Sequence, residues 1–133
     1  VVFCMIGANN KKQPDGMVQL AKDLDTLCQK VTSDGNLFVL MTPNPVTAAN
    51  DAKENRFFPQ SEVAATIRAA AQRWEAQVFF IDHFARMQAD CQHQGRTMEE
   101  YLQVGAGPEN DGQHPGDQVY RFYFESICQA LNI

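Results

Sequence analysis

A chain of 133 residues, 44% hydrophobic and 20% charged, is one domain at most and is long enough to bury a real core. Its formal net charge of −5, with acids and bases interspersed and no basic cluster, argues against nucleic acid and anionic membrane surfaces as partners. No apolar run approaches the ~18 residues of a membrane span.

The chain opens on Val1-Val2-Phe3-Cys4-Met5-Ile6, six apolar residues rich in β-branched and aromatic types, and runs into Gly7-Ala8-Asn9-Asn10. This reads as a strand buried on both faces, as in parallel sheets, ending in a tight polar turn. Open α/β sheets bind ligands at the carboxyl ends of their strands, so Gly7 to Asn10 stand where chemistry would be placed. A start inside a core strand is expected to reflect a cut or a missing upstream part. Lys11 to Gly16 reads as a polar loop. A helix is expected from there to about Val31, with Met17, Leu20, Leu24, Leu27 and Val31 at spacings of three and four. Ser33-Asp34-Gly35-Asn36 turns the chain into a second buried strand, Leu37 to Met41, ended by Thr42-Pro43-Asn44-Pro45.

Residues 46 to 60 form a long polar connection, a kind of loop that carries function or disorder. Ser61 is the expected N-cap of a helix to about Ala76, with Val63, Ile67, Ala70, Ala71 and Trp74 inward. Val78 to Ile81 is the third strand, ending at Asp82, and a short helix from His83 to about Cys91 follows. Gln92 to Pro115 is polar, with a helical piece around Met98 to Val104. The last helix spans about Gly116 to Leu131, its inner stripe read as Tyr120, Phe124, Ile127 and Leu131, with Arg121 and Tyr123 outward or meeting a partner.

Strands and helices that alternate in this way imply an α/β fold with a parallel sheet and helices on both faces. The opening strand is the most apolar of the three, which suits a central position. An uncovered apolar edge is an aggregation hazard, so a further strand is expected from an upstream segment or another chain.

Two stretches could carry chemistry. Asp111-Gly112-Gln113-His114-Pro115 sets an imidazole three residues after a carboxylate across a glycine turn. An imidazole is a general base near neutral pH, and a carboxylate beside it fixes its tautomer and stabilises the imidazolium. On spacing alone the stretch also reads as a polar turn before a helix. Asn9, with the backbone of Gly7 close by, offers donors of the kind that hold an oxyanion in acyl transfer; the alternative is an amide that caps a turn.

Together, Gly7-x-Asn9 after a buried strand and Asp111-x-x-His114 before the final helix resemble the SGNH (GDSL-type) hydrolase family. The strand-Thr-Pro turn at Met41 to Pro43 and the Ile81-Asp82 strand end fall in the same order, so the resemblance runs over nearly the whole chain. It implies a three-layer flavodoxin-like parallel sheet of about five strands, of which this chain holds three, with residues 1–133 the C-terminal portion of a single domain. It implies ester hydrolysis in which His114 is the general base, Asp111 its orienting acid and Asn9 an oxyanion-hole donor, with Gly7 keeping the turn tight. No metal or organic cofactor is needed. Asn10 stands where the family usually has Asp. The family's nucleophile, in a Gly-Asp-Ser motif, is not in this chain, and Ser33, Ser61 and Ser126 lie outside any such motif. The chain alone is therefore expected to be inactive, its serine supplied by an upstream segment or a second polypeptide.

Small acyl esters, acetyl groups on carbohydrate first, are the substrates the resemblance implies, with Phe57 and Phe58 as a wall of the acyl pocket. The alternatives are a lipase or thioesterase of the same family, or a non-catalytic carbohydrate-binding or structural module. Cys4, Cys28, Cys91 and Cys128 form no zinc pattern and read as reduced core thiols, or as one disulfide involving Cys91, which leaves the compartment open. His83 and His93 read as surface or helix residues rather than ligands. Glu99 and Glu100 read as a solvated helix face, and Asp82 as a capping or packing residue or a support at the active edge.

Overall fold

The computed structural model describes residues 1–103 and 111–133. These form an α/β arrangement with a three-stranded parallel sheet. They divide into two compact units, Val1–Pro43 with Glu54–Asp82 and Asn44–Lys53 with His83–Ile133.

The first unit holds the sheet, ordered β1 (Val2–Cys4), β2 (Phe38–Met41), β3 (Val78–Ile81), with α1 (Gly16–Ser33) and α3 (Gln60–Arg73). Val2 pairs with Phe38 and Phe38 with Val78, all in parallel. The continuous apolar run of β2 follows from its central place: all four residues are buried. Leu20, Leu24 and Cys28 of α1 meet Val63, Ile67, Ala70 and Ala71 of α3 above Phe38, Leu40 and Val78. Each fully buried aliphatic side chain here contributes about 1.5–3 kcal/mol. Met17, Leu27 and Val31 flank this core, completing the three-and-four spacing read in the sequence.

Four expectations for this unit need correction. Among the described residues β1 pairs on one side only, with β2, leaving a flank without a neighbour as expected, but Val2 and Phe3 are 37% and 48% exposed rather than buried on both faces. Apolar composition marks a strand for burial but does not say which neighbour supplies it. Lys11, read as part of a polar loop, is wholly buried in a short 3-10 turn, Asn10–Lys12. Ser61 does not cap α3. The helix begins two residues earlier, with Pro59 at the N-cap, and Gln60 is buried in its first turn. Trp74 ends α3 half-buried against the core, its indole N–H donating to Asp25 Oδ1 at 3.0 Å, so it is an amphipathic closure rather than an interior residue.

The second unit contains α2 (Ala48–Asp51), α4 (His83–His93), α5 (Met98–Tyr101) and α6 (Asp117–Leu131). Met87 and Cys91 of α4 pack with Tyr101, Leu102, Val119 and Tyr123. Val104, the expected end of the helical piece here, lies outside the described residues. The inward stripe of α6 is Val119, Tyr123 and Ser126, not the one read from the sequence; Tyr120 and Phe124 are 56% and 68% exposed. A run of Tyr-Arg-Phe-Tyr-Phe satisfies helical spacing in two registers, and fit against Met87, Cys91 and Leu102 selects the one with smaller Val119 and Ser126. Tyr123 therefore faces inward. His83 is wholly buried, not at the surface, and its ring packs edge-on to Tyr123 with centroids 4.5 Å apart. Glu100 is more than a solvated acid: with Thr97 it closes a capping box at the start of α5.

All four cysteines are thiols, so Cys91 forms no disulfide and is instead buried in α4, where the sequence places a helix. Burial, then the Asp25 and Cys4 charges, push the Cys28 thiol up to about 11. Among the described residues no helix is long and apolar enough to cross a membrane.

Candidate active site

At the carboxyl end of β1 the chain turns at Gly7, whose φ of +102° suits only glycine. A Cβ there would lie 2.9 Å from Leu20 Cδ2 and 3.2 Å from Val63 Cγ1, so the turn can approach the α1–α3 core only with a bare backbone. Gly7 C=O accepts from Asn10 N–H at 2.9 Å. Asn9 heads the 3-10 turn, yet its side chain makes no capping hydrogen bond and the residue is exposed. The amide that closes the following loop belongs to Asn10, whose Nδ2 donates to Gly16 C=O at 3.3 Å. The turn is thus closed by the amide of residue 10 and not by that of Asn9.

Phe57 and Phe58 come to this same turn. Phe57 N–H donates to Lys11 C=O at 2.8 Å and Phe58 N–H to the same oxygen at 3.4 Å. Phe57 is 59% exposed, and its backbone partner Lys11 follows Asn9 by two residues. At the ends of β2 and β3, Asp82 has a structural partner set: Arg68 donates from Nε at 2.9 Å and Nη2 at 2.6 Å to Oδ2, and Thr42 Oγ1 donates to Oδ1 at 3.1 Å. That carboxylate ties α3 to two strand ends.

The second unit carries the carboxylate–imidazole pair. Asp111 Oδ1 accepts from Gln113 N–H at 3.0 Å and His114 N–H at 3.1 Å, and lies 3.2 Å from His114 Nδ1. An ionised carboxylate can only accept, so the proton of the neutral imidazole belongs on Nδ1, leaving the Nε2 lone pair as the base. The imidazole side chain is 65% exposed, within reach of a reactant. Partial burial alone would raise the Asp111 carboxyl, but the His114 and Gln113 N–H groups, with the His114 imidazole, outweigh it and hold the carboxyl down to about 2. The Asp111 carboxyl is therefore ionised throughout the neutral range.

What holds this loop was not legible in the sequence. Three successive carbonyls accept from one segment: Asp111 C=O from Asn50 Nδ2 at 3.1 Å, Gly112 C=O from Thr47 N–H at 2.9 Å, and Gln113 C=O from Asn44 Nδ2 at 2.9 Å. Asn44 Oδ1 in turn accepts from Tyr123 Oη at 2.9 Å. Thr47 and Asn50 are buried, and Thr47 Oγ1 caps α2 by accepting from Asn50 N–H at 3.1 Å. The signal that could have found part of this is Thr47-x-x-Asn50, a cap with a polar third residue inside a loop too long to be a plain connection.

The structure thus brings Asp111 and His114 together in one unit, and Gly7, Asn9, Phe57 and Phe58 around one turn in the other. Among the described residues no group of three His, Cys, Asp or Glu side chains could hold a metal ion. Comparison with protein-family models, with characterised proteins and with solved structures gives no match for this chain.

Proposed function

We propose that this chain is the base-bearing part of a serine ester hydrolase of the SGNH (GDSL-type) kind, within a flavodoxin-like sheet of about five strands. The observation that carries the reading is the Asp111–His114 pair: a carboxylate held by two backbone N–H groups, 3.2 Å from the ring nitrogen of an exposed histidine. His114 Nε2 takes the proton from a serine hydroxyl as its oxygen attacks the ester carbonyl. Asn9 donates to the oxyanion of the tetrahedral intermediate, and the imidazolium returns the proton to the departing alcohol. Water then repeats the sequence on the acyl-serine. Asp111 holds Nδ1–H throughout and stabilises the imidazolium.

The serine comes from an upstream segment or a second polypeptide with Gly-Asp-Ser. None of the chain's own candidates serves: Ser33 donates to Lys30 C=O at 3.0 Å in the last turn of α1, Ser61 lies within α3, and Ser126 is buried in α6. The outer edge of β1, with Val2, Phe3 and, beyond it, Met5 and Ile6 exposed, supports a further strand there as the carrier. Small acyl esters, acetyl on carbohydrate first, are the proposed substrates, and the exposed Phe57 supports an apolar wall for the acyl group.

The test uses the complete protein with an aryl acetate and a fluorophosphonate probe. The probe should label the serine of the Gly-Asp-Ser segment, leave this chain unlabelled, and fail to label when His114 is replaced by alanine. Full turnover by the His114→Ala protein, or no labelling of the intact one, would remove the proposal.

A further inference from the structure

Resting on the reading of His114 as a base, we infer that Asn44, Asn50 and Tyr123 are positioning residues that hold the Asp111–His114 loop in its working conformation. The hydrogen bonds of the loop sort into two sets. Its N–H groups at 113 and 114 turn inward to the Asp111 carboxylate. Its carbonyls at 111, 112 and 113 turn outward, and each meets a donor from the 44–50 segment. A peptide plane fixed at its carbonyl is fixed at its N–H as well, because the bond between them does not rotate. The carbonyls of 112 and 113 belong to the same planes as the N–H groups of 113 and 114. Clamping those two oxygens, by Thr47 N–H and Asn44 Nδ2, therefore aims the two donors at Asp111 Oδ1, while Asn50, holding the Asp111 C=O, fixes the backbone from which the accepting carboxylate departs.

The clamp is itself oriented. An asparagine amide can flip, but Asn44 Oδ1 accepts the Tyr123 hydroxyl, so Nδ2 is the end left to donate to Gln113 C=O. Tyr123 is buried in the α6 face and its ring is seated edge-on against His83, so the hydroxyl has little room to wander. Asn50 is buried at the end of α2, whose first turn is capped by Thr47. Asn50 thus stands on a packed element, and Asn44 is oriented by the packed Tyr123, while the pair they serve is exposed.

The experiment reads the imidazole and the two amides directly by nitrogen-15 NMR of the protein at pH 8, in wild type, Asn50→Ala and Tyr123→Phe. In wild type His114 should be mainly the Nδ1–H tautomer, with slow exchange of the Gln113 and His114 amides. In both variants the tautomer should move toward Nε2–H and the two amides should exchange at least about tenfold faster, the factor that corresponds to ~1.4 kcal/mol. Loss of fold support alone would lower the melting temperature and leave the tautomer where it was. Tyr123→Phe keeps the ring and its contact with His83, so it decides the matter even if Asn50→Ala unfolds. A folded Tyr123→Phe protein with wild-type tautomer and amide exchange overturns the inference. Neither readout needs turnover, so a protein that resists fluorophosphonate labelling yet shows these shifts would remove the esterase reading and keep the clamp.

Discussion

The Asp111 carboxylate meets His114 twice through one oxygen: Oδ1 accepts the backbone N–H at 3.1 Å and faces ring Nδ1 at 3.2 Å. One residue thus has its main chain and its side chain indexed to a single acceptor, and the ring cannot turn without leaving it. Replacing Asp111 by Asn keeps the shape and a carbonyl acceptor but removes the charge that stabilises the imidazolium. In the complete protein, Asp111→Asn should lower kcat for an aryl acetate by roughly 10²–10⁴-fold, the usual range for disabling acid–base catalysis, with KM little changed. Steady-state kinetics check this; an unchanged kcat would strip Asp111 of its role.

The same geometry fixes a pH dependence. Burial raises the Asp111 carboxyl, but the N–H groups of His114 and Gln113 and the imidazole prevail and hold it at about 2. A depressed carboxyl stabilises the fold above its unfolded value of about 3.9, and that stabilisation is lost as pH falls from there through about 2. The carboxylate is 37% exposed, so solvent screening keeps the contribution small. Melting curves of wild type and Asp111→Asn should differ most above pH 5 and converge toward pH 2. A gap that widens on acidification would contradict the assignment.

Local pattern carried the sequence reading where burial is continuous or periodic. The run Phe38 to Met41 has no polar interruption because every residue of β2 is buried, whichever face of the sheet it points to, and the α1 spacing survives because one face meets one core. Asp111 and His114 were legible because both ends of their contact lie within four residues. The clamp was not, since Asn44 and Asn50 reach backbone carbonyls 69 and 61 residues away, and a carbonyl leaves no mark in the sequence. The α6 register failed for another reason. Aromatic size ranks Tyr120 and Phe124 above Val119 and Ser126, whereas packing against a finished core ranks shape first.

Gly112 shows how tightly the loop and the clamp fit. Its φ is +79°, and a Cβ there would strike Thr47 Oγ1. Gly112→Ala should therefore destabilise the protein by about 1–3 kcal/mol, as expected for a strained backbone position. Part of that loss comes from the collision, so Thr47→Ala should be less damaging in the Gly112→Ala background than in wild type. Chemical denaturation of the four proteins in the cycle measures the coupling. Strict additivity would mean that the collision relaxes without consequence.

Phe57 offers a test of the acyl wall that stability does not confuse. Its ring is 59% exposed, so Phe57→Ala should change unfolding free energy by no more than about 0.5 kcal/mol. In the complete protein the same change should alter the ratio of kcat/KM between acetyl and butyryl aryl esters by about tenfold, since one or two methylenes in an apolar pocket contribute about 1–3 kcal/mol. An unaltered ratio would take Phe57 out of substrate recognition.

The face of α6 is decided by a paired substitution. Val119 is 1% exposed among Met87, Cys91 and Leu102, while Phe124 is 68% exposed on the same helix. Cutting Val119 to Ala removes two buried methyl groups and leaves a cavity, a loss of about 2 kcal/mol. Cutting the far larger Phe124 to Ala removes surface already in water, and the better helix propensity of alanine offsets what packing is lost, so the change should stay within about 0.5 kcal/mol. The smaller side chain is thus the costlier one to trim, the reverse of what size and hydrophobicity predict. Urea denaturation of the two variants measures both losses, and a Phe124→Ala protein less stable than Val119→Ala would show the helix turned with its aromatic stripe inward.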